Sequence, residues 1–387
     1  MANPKADNRK LFADLGKSTP LVPPIYQSSV YTLPDLDALD RIMNGEAPGY
    51  IYARDAHPNA RHLADQLTAL EGGSWGLVCG SGMAAVTGAL LAVVQQGDRI
   101  VASNRLYGRT TQLLGQELVR FGVQSAFVDC NDLDAVREAL ATPAKMLLVE
   151  TLSNPLLRLV DVEALADLAH EGGSLLLVDN TFATPVLTRP LKLGADFVVE
   201  SLTKMIGGHS DVTLGVVCGH GDFLAQVSQV VSIWGLASNP FDCWLAERGL
   251  ATLPLRMRAA SANAAALADW LAGQPGVSRV IYPGRADHPD HDLAGRLMAG
   301  GCGNMLCFEL SGGRDAVNRF LHRAKNIPFS PSLGNTTTTC SHPGTTSHRY
   351  VSPAEKKRQG IGDGLIRLSV GVEEVGAIQE EIGKGLK

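Results

Sequence analysis

The sequence predicts an α/β protein with a mixed seven-stranded sheet and a smaller C-terminal α/β domain. Apolar runs of strand length alternate with helix-length segments, which is typical of βαβ units and a parallel sheet. The strand-like runs cover residues 76–80, 98–103, 124–129, 146–151, 174–180, 197–202 and 214–219. The last connection, over 203–213, is too short for a parallel crossover, so we expect the final strand to be antiparallel to its neighbours.

Three regions are expected along the chain: an N-terminal arm over 1–58, a large domain over 59–245 and a small domain over 246–387. The arm contains one short helical pattern, from Asp35 to Asn44, with Pro34 before it and Gly45 after it. From Asn239 the pattern becomes helical and rich in alanine. The expected elements of the small domain are helices at 246–258, 261–274 and 314–323, strands at 304–310 and 365–370, and a C-terminal helix.

Composition narrows the class of protein. The 387 residues carry a net charge of −5, which provides no electrostatic argument for nucleic-acid binding. No apolar run approaches the roughly 18 residues of a membrane-spanning helix, and the N-terminus lacks the apolar core of a signal peptide. The seven cysteines form no C-x-x-C pair, so we expect a reducing, cytoplasmic location. The run His288–Asp292 is interpreted as a solvated loop, and no metal site is predicted.

Two of the predicted strands end in polar clusters, which place an acid and an amine at one edge of the sheet. Asp179 ends one strand, and Ser201, Thr203 and Lys204 follow the next. Ligands of open α/β sheets bind beside the carboxyl ends of such strands. A lysine there can form a Schiff base with an aldehyde, and an aspartate is the usual partner of the ring nitrogen of pyridoxal phosphate (PLP). The alternative is a solvated lysine and a helix-capping acid.

The glycine turn after the first strand has two interpretations. Gly80, Gly82 and Ala85 fit the pattern G-x-G-x-x-A, which is also the fingerprint of nicotinamide- and flavin-binding domains. That fingerprint usually opens a domain, whereas some eighty residues precede it here. Free N–H groups at a helix N-terminus bind any phosphate. We therefore expect Ser81, Gly82 and Met83 to hold the phosphate of PLP, with a nicotinamide-dependent oxidoreductase as the alternative.

Further candidates lie in loops and in one strand. Tyr107 follows the second strand, where its ring can stack on a flat cofactor, and Asn154 can hydrogen-bond a ring hydroxyl or a substrate carboxylate. Tyr52 and Arg54 are two apart, so an extended segment points both toward one phosphate. Arg367 lies in a strand of alternating character, where a buried guanidinium needs an anion. Without further information, the loop residues are equally compatible with an ordinary surface.

The segments VDNTFATP and SLTKMIGGHSD resemble the Cys/Met-metabolism (trans-sulfuration) family of PLP enzymes, and the resemblance extends from about Pro24 to Glu373. That family includes cystathionine γ-synthase, cystathionine γ- and β-lyases, methionine γ-lyase and the O-acyl-homoserine sulfhydrylases. The resemblance implies the aspartate-aminotransferase-like fold (fold type I) and PLP as cofactor. It also implies a homodimer whose subunits share active sites, paired into a tetramer.

The resemblance implies a role for each candidate residue. Lys204, Tyr107 and Asp179 are the implied catalytic residues, with Tyr107 stacked on the ring and active in proton transfer. Tyr52 and Arg54 reach across the dimer to the phosphate of the other subunit. The implied cofactor-binding residues are Ser81, Gly82, Met83, Tyr107, Asn154, Asp179, Ser201, Thr203, Lys204, Tyr52 and Arg54. The implied substrate-binding residues are Arg367, Ser332, Asn154, Tyr52 and Arg109.

The activity that the resemblance implies is chemistry at Cγ of a homocysteine-type amino acid. The first expectation is a cystathionine γ-lyase-like carbon–sulfur lyase, which releases 2-oxobutanoate and ammonia by γ-elimination. The alternatives are γ-replacement by a cystathionine γ-synthase or O-acyl-homoserine sulfhydrylase, a methionine γ-lyase, a cystathionine β-lyase, and a non-catalytic relative. Two positions depart from the family pattern: Arg109 replaces a small residue, and Thr337 replaces a glutamate that relatives acting on cystathionine or methionine usually carry.

Overall fold

The structure is a computed structural model that describes residues 18–298, 300–349 and 351–387. Residues 1–17 of the predicted N-terminal arm lie outside the described residues. The described residues form a seven-stranded sheet and a four-stranded sheet, with helices packed against both. The fold is therefore of the predicted α/β class.

The elements of the first part of the chain end with the last strand of the larger sheet. The strands are β1 Trp75–Cys79, β2 Arg99–Ser103, β3 Gln124–Val128, β4 Met146–Glu150, β5 Leu175–Asp179, β6 Phe197–Ser201 and β7 Gly215–Gly219. The α-helices are α1 Leu36–Met43, α2 Pro58–Glu71, α3 Gly82–Val93, α4 Gly108–Gln112, α5 Leu133–Leu140, α6 Val162–Glu171 and α7 Thr184–Leu187. A π-helical turn, Leu113–Glu117, and two 3₁₀ turns, Leu118–Phe121 and Pro190–Leu193, complete this part.

The remaining elements belong to the C-terminal part of the chain. The strands are β8 Val277–Ile281, β9 Met305–Leu310, β10 Thr339–Ser341 and β11 Leu365–Ser369. The helices are α8 Leu224–Ile233, α9 Pro240–Leu250, α10 Leu253–Ala272, α11 His291–Leu297, α12 Gly313–Arg323, α13 Pro353–Gln359 and α14 Val375–Leu386.

The larger sheet confirms the predicted seven strands and the antiparallel direction of the last one. Its strand order is β1-β7-β6-β5-β4-β2-β3, and β7 runs antiparallel to both β1 and β6 while the other neighbours are parallel. Every residue of β4 is buried, as expected for a parallel strand covered by helices on both faces. The parallel strands β2, β4, β5 and β6 thus have their carboxyl ends at one edge of the sheet.

Helix caps explain where several elements begin and end. His57 is the N-cap of α2, and its Nδ1 accepts the N–H of Ala60 at 3.1 Å, while Gly72 ends the helix in the left-handed conformation. The side chain of Asn59 accepts the N–H of Tyr26 and donates to the carbonyl of Pro24, both at 2.9 Å. These two bonds attach the arm to α2.

The smaller sheet has strand order β10-β11-β9-β8, and only β9 and β11 correspond to predicted strands. The predictions missed β8 because none of its residues is buried, and β10 because it has three residues. The expected helices at 246–258 and 261–274 were also placed wrongly. The chain breaks at Ala251 and Thr252, before Pro254, and then continues as one helix to Ala272.

The prediction of a solvated loop at His288–Asp292 is wrong. His288 and Asp290 are both buried, and α11 begins at His291. Asp290 pairs with Arg158 of the larger-sheet part, with Nε to Oδ2 at 2.6 Å and Nη2 to Oδ1 at 2.9 Å. Across the described ranges, no three histidine, cysteine or acidic side chains converge as a metal site would require. In the same ranges, no helix combines the length and apolarity that crossing a bilayer demands.

Candidate active site

A cavity of about 1170 Å³ lies beside the carboxyl ends of β2, β4, β5 and β6, with the N-terminus of α3 in its wall. The cavity brings together side chains that are more than two hundred residues apart in the chain, because Arg367 of β11 completes it. The predicted site residues that line it are Ser81, Gly82, Met83, Tyr107, Arg109, Asn154, Asp179, Ser201, Thr203, Lys204 and Arg367.

Lys204 lies in the tight turn after β6, and its Nζ donates to Ser332 Oγ at 3.2 Å. The turn is held from two sides. Arg256 donates to the carbonyls of Met205 at 2.6 Å and Ile206 at 2.9 Å, while Gly334 packs so closely that a Cβ there would lie 3.1 Å from Lys204 Cα. Burial, and secondarily the charge of Arg367, lowers the pKa of Lys204. A lowered pKa makes the unprotonated, nucleophilic amine more available.

Asp179 ends β5 and presents its carboxyl group to the same cavity. Its Oδ1 accepts the backbone N–H of Thr181 at 3.0 Å. Burial raises the pKa of Asp179, and the hydrogen bonds from Thr181 act in the opposite direction. A carboxylate that is short of counter-charge in a cavity is suited to pair with a cationic group of a ligand.

The N-terminus of α3 forms an anion cradle in the cavity wall. Ser81 is the N-cap, with its hydroxyl accepting the N–H of Ala84 at 3.0 Å, and Gly82 and Met83 begin the helix. A Cβ at Gly82 would lie 2.7 Å from Ser201 Cβ, so this close approach requires glycine. Thr203 stabilises the opposite side, since its hydroxyl bonds the carbonyl and N–H of Leu214. First-turn N–H groups at a helix N-terminus favour a phosphate.

Arg367 is buried without an acidic partner among the described residues. Its Nη1 donates to Asn154 Oδ1 at 2.8 Å, its Nη2 donates to the carbonyl of Ser332 at 3.3 Å, and its buried Nε has no partner there. Burial lowers the pKa of Arg367, because water no longer stabilises the charged form of the guanidinium. A planar guanidinium in this state is suited to bind a carboxylate.

Tyr107 stands at the start of α4, lines the cavity and keeps 41% of its surface exposed. Its backbone N–H donates to Glu150, the last residue of β4. Arg109, the second residue of α4, lines the cavity and donates to Gln112 Oε1 at 2.8 Å. Sequence reasoning missed Glu150, although it lies only four residues before the predicted Asn154.

Tyr52 and Arg54 lie away from the cavity lining of their own chain. Both are exposed, and the guanidinium carbon of Arg54 lies 5.0 Å from the centre of the Tyr52 ring. The two side chains therefore form one exposed unit, as their spacing predicted. Sequence reasoning also missed the turn over 345–348, whose polar side chains form part of the cavity wall.

A family model described as "Cys/Met metabolism PLP-dependent enzyme" matches residues 12–387. This chain belongs to that family. The O-succinylhomoserine sulfhydrylase of Pseudomonas aeruginosa is 42% identical over 88% of this chain and 85% of its own length. The cystathionine γ-lyase of Bacillus subtilis is 38% identical over 94% of this chain and 93% of its own. A crystal structure of cystathionine γ-synthase from Xanthomonas oryzae pv. oryzae, in complex with aminoacrylate and cysteine, has TM-score 0.89 and 36% identity, covering 94% and 92%.

The chain is thus a PLP-dependent enzyme of fold type I, and its substrate is a small amino acid. The cavity fits the cofactor on its own chemistry. One cavity is surrounded by an amine with a lowered pKa, a buried carboxyl group and a helix N-terminus where only glycine fits, at Gly82. These three groups match, in turn, the aldehyde, the pyridinium nitrogen and the phosphate of PLP. The dinucleotide interpretation of the glycine turn is therefore wrong, because the same geometry serves the phosphate of a different cofactor.

Proposed function

We propose that this enzyme acts at Cγ of a homoserine- or homocysteine-type amino acid, with Lys204 as the lysine that carries PLP and moves protons. The observation that carries the proposal is the joint placement of Lys204, Asp179 and Arg367 around one cavity. PLP, when bound, supplies an electron sink for the pair released at Cα. Every other contribution comes from side chains of the chain.

Each residue has a proposed task. Arg367 holds the substrate α-carboxylate, with Asn154 and Ser332 fixing the orientation of its guanidinium. Lys204, once its amine is free, accepts the Cα proton as a general base, which its lowered pKa favours. Asp179 keeps the cofactor ring nitrogen protonated. Tyr107 stacks on the ring and donates a proton to the leaving group, while Ser81, Gly82, Met83, Ser201 and Thr203 hold the phosphate.

The exposed unit of Tyr52 and Arg54 supports a shared active site. Because these side chains lie away from their own cavity, we assign them to the phosphate and substrate of a neighbouring subunit. That assignment makes the protein a dimer at least, and the family precedent extends it to a tetramer. The proposed location is the cytoplasm, in line with seven cysteines that are all free thiols.

Two observations favour γ-replacement as the first candidate reaction. The cavity is lined by Arg105, which pairs with Asp129 at 2.8 Å, and by Arg109 and Arg358 in addition to Arg367. This concentration of positive charge is suited to a substrate whose leaving group carries a carboxylate. The identity of 42% with an O-succinylhomoserine sulfhydrylase exceeds that with the cystathionine γ-lyase. In such a reaction the Cγ–O bond breaks, and the acyl group leaves with the bonding electron pair and takes up the Tyr107 proton. A thiol then releases its own proton as its sulfur forms the Cγ–S bond.

γ-Elimination, which the sequence analysis placed first, is the second candidate. The 38% identity with a cystathionine γ-lyase over 94% of the chain supports it. The same side chains serve both reactions, because they diverge only after the γ-substituent has left. Water then leads to 2-oxobutanoate and ammonia, whereas a thiol leads to a new thioether.

The test uses the purified holoenzyme with O-succinyl-homoserine, O-acetyl-homoserine, cystathionine and methionine, each with and without a thiol. Thioether formed only with an O-acyl substrate supports γ-replacement, and 2-oxobutanoate from cystathionine without thiol supports γ-elimination. We expect Lys204→Ala to lose the visible absorbance band of covalently held PLP together with all turnover. An unchanged band in Lys204→Ala contradicts the assignment of Lys204.

A further inference from the structure

Two carboxyl groups end adjacent strands of the cavity wall. Glu150 of β4 and Asp179 of β5 are register partners in the parallel pair, so their side chains point to the same face, and both line the cavity. Glu150 is only 8% exposed. No lysine, arginine or histidine of the described residues forms an ion pair with it.

The hydrogen bonds of Glu150 reach the two loops that border the cavity. Its Oε1 accepts the backbone N–H of Tyr107, and the backbone N–H of Asn154 also acts on the carboxyl group. One side chain therefore connects the loop after β2, through Tyr107, with the loop after β4, through Asn154. These connections hold the backbones of Tyr107 and Asn154 at the cavity wall.

The two carboxyl groups differ in how readily they ionise. Burial raises the pKa of Glu150 well above its ordinary value, and the neighbouring Asp179 raises it further; the backbone N–H groups of Tyr107 and Asn154 lower it by less. Burial also raises the pKa of Asp179, but Thr181 opposes it with hydrogen bonds from its side chain and its backbone. Two carboxyl groups that share a site do not both ionise readily. Asp179, whose pKa is raised less than that of Glu150, therefore holds the charge.

We propose that Glu150 is a positioning residue, which as a neutral acid accepts the N–H of Tyr107 and so fixes the Tyr107 ring over PLP while Asp179 alone holds the negative charge. This proposal rests on the use of PLP at Asp179 in the proposed function. Its task is distinct from that of the catalytic residues, because Glu150 acts on the cofactor through Tyr107 and Asn154. The oxygen acceptor is essential, and the ionised form is not.

The test compares Glu150→Gln with Glu150→Leu in the full-length holoenzyme. Both replacements are neutral and similar in volume, but only glutamine retains an oxygen to accept the Tyr107 N–H. We expect the glutamine variant to retain PLP affinity and the visible circular dichroism of bound PLP within about threefold of wild type, on the scale of one lost polar contact. The leucine variant should bind PLP roughly 5- to 100-fold more weakly, the effect of one buried donor left unpaired.

Glu163→Gln, which changes an exposed carboxyl group in the first turn of α6, is the matched control and should leave both signals unchanged. If the leucine variant does not fold, as judged by far-ultraviolet circular dichroism, the glutamine variant alone decides. Loss of PLP affinity in Glu150→Gln overturns the proposal, because it shows that the charge is needed. A folded leucine variant with wild-type affinity overturns it as well. Neither signal requires a substrate, so failure of the proposed reaction remains a separate result.

Discussion

Two arginines, the buried Arg367 and the half-buried Arg158, join the segment between β4 and α6 to the C-terminal part of the chain, and they differ in whether a carboxylate pairs with them. Arg158 forms a bidentate pair with Asp290, whose carboxylate raises the pKa of that guanidinium. Among the described residues, Arg367 donates only to neutral oxygens, from Asn154 and Ser332, and burial lowers its pKa. An arginine with its own carboxylate stabilises the fold, whereas one without a carboxylate retains its binding capacity for a ligand.

The largest expected effect is on binding at Arg367. Arg367→Lys keeps a positive charge but loses the planar pair of donors, so kcat/KM for the amino-acid substrate should fall by roughly two to four orders of magnitude, at about 1.5–3 kcal/mol for each of two charge-assisted hydrogen bonds. Steady-state kinetics measure this loss. The free energy of unfolding should not decrease, because no carboxylate among the described residues balances the charge of the wild-type guanidinium. Arg158→Lys is the matched control, and comparable kinetic losses in both variants would contradict the distinction.

The second effect is on stability, at the paired arginine. Asp290→Asn removes the charge from a carboxyl group that also accepts the N–H of Leu159 at 3.0 Å. We expect the free energy of unfolding to fall by about 3 kcal/mol, the lower end of the range for a broken buried pair, because the Arg158 side chain is 24% exposed. Urea denaturation measures this change. If the variant instead kept its stability and lost substrate affinity, the two arginines would not divide the tasks as described.

Two buried glutamates, Glu71 and Glu200, provide the same comparison for negative charge, because neither has a strong cationic partner to offset its burial. Glu71, at the end of α2, and Glu200, in β6, are both buried, and Asn180 Nδ2 donates to both, at 2.9 and 3.4 Å. Burial raises the pKa of Glu71 to about 7, and burial together with Glu71 raises that of Glu200. Arg189 lowers the pKa of Glu71 only as a minor contribution.

The raised pKa determines the direction of a pH effect. The folded state holds the Glu71 proton more tightly than the unfolded chain, so its stabilising contribution is complete below the unfolded pKa of 4.5 and is lost by about pH 7. Within that window the loss is at most about 1.4 kcal/mol per pH unit for this group. Glu71→Gln keeps the oxygen that Asn180 contacts and should remove this component, as seen by comparing urea midpoints of variant and wild type at pH 5 and pH 8. Parallel pH dependences in the two proteins would show that Glu71 remains charged.

The larger sheet was predictable because its information is local. All seven strands fall within the predicted runs to one or two residues, since each is a short apolar stretch between turn residues. The direction of β7 followed from the length of a connection. The convergence of Asp179 and Lys204 followed from the rule that parallel strands end at one edge. The smaller sheet was less predictable, because β8 and β10 are strands only through their partners.

The sequence by itself thus determined the fold class, the positions of the larger sheet's strands along the chain, the direction of β7, and the acid and amine at the carboxyl edge. These features depend on hydrophobic periodicity and chain connectivity. Only the tertiary structure decided which buried charges are paired. The sequence placed Asp290 in a solvated loop, and only the structure shows its pair with Arg158. Likewise, only the structure shows that Glu150, at the end of β4, accepts the N–H of Tyr107. Burial and charge pairing depend on distances between residues that are remote in the chain, and no local pattern encodes those distances.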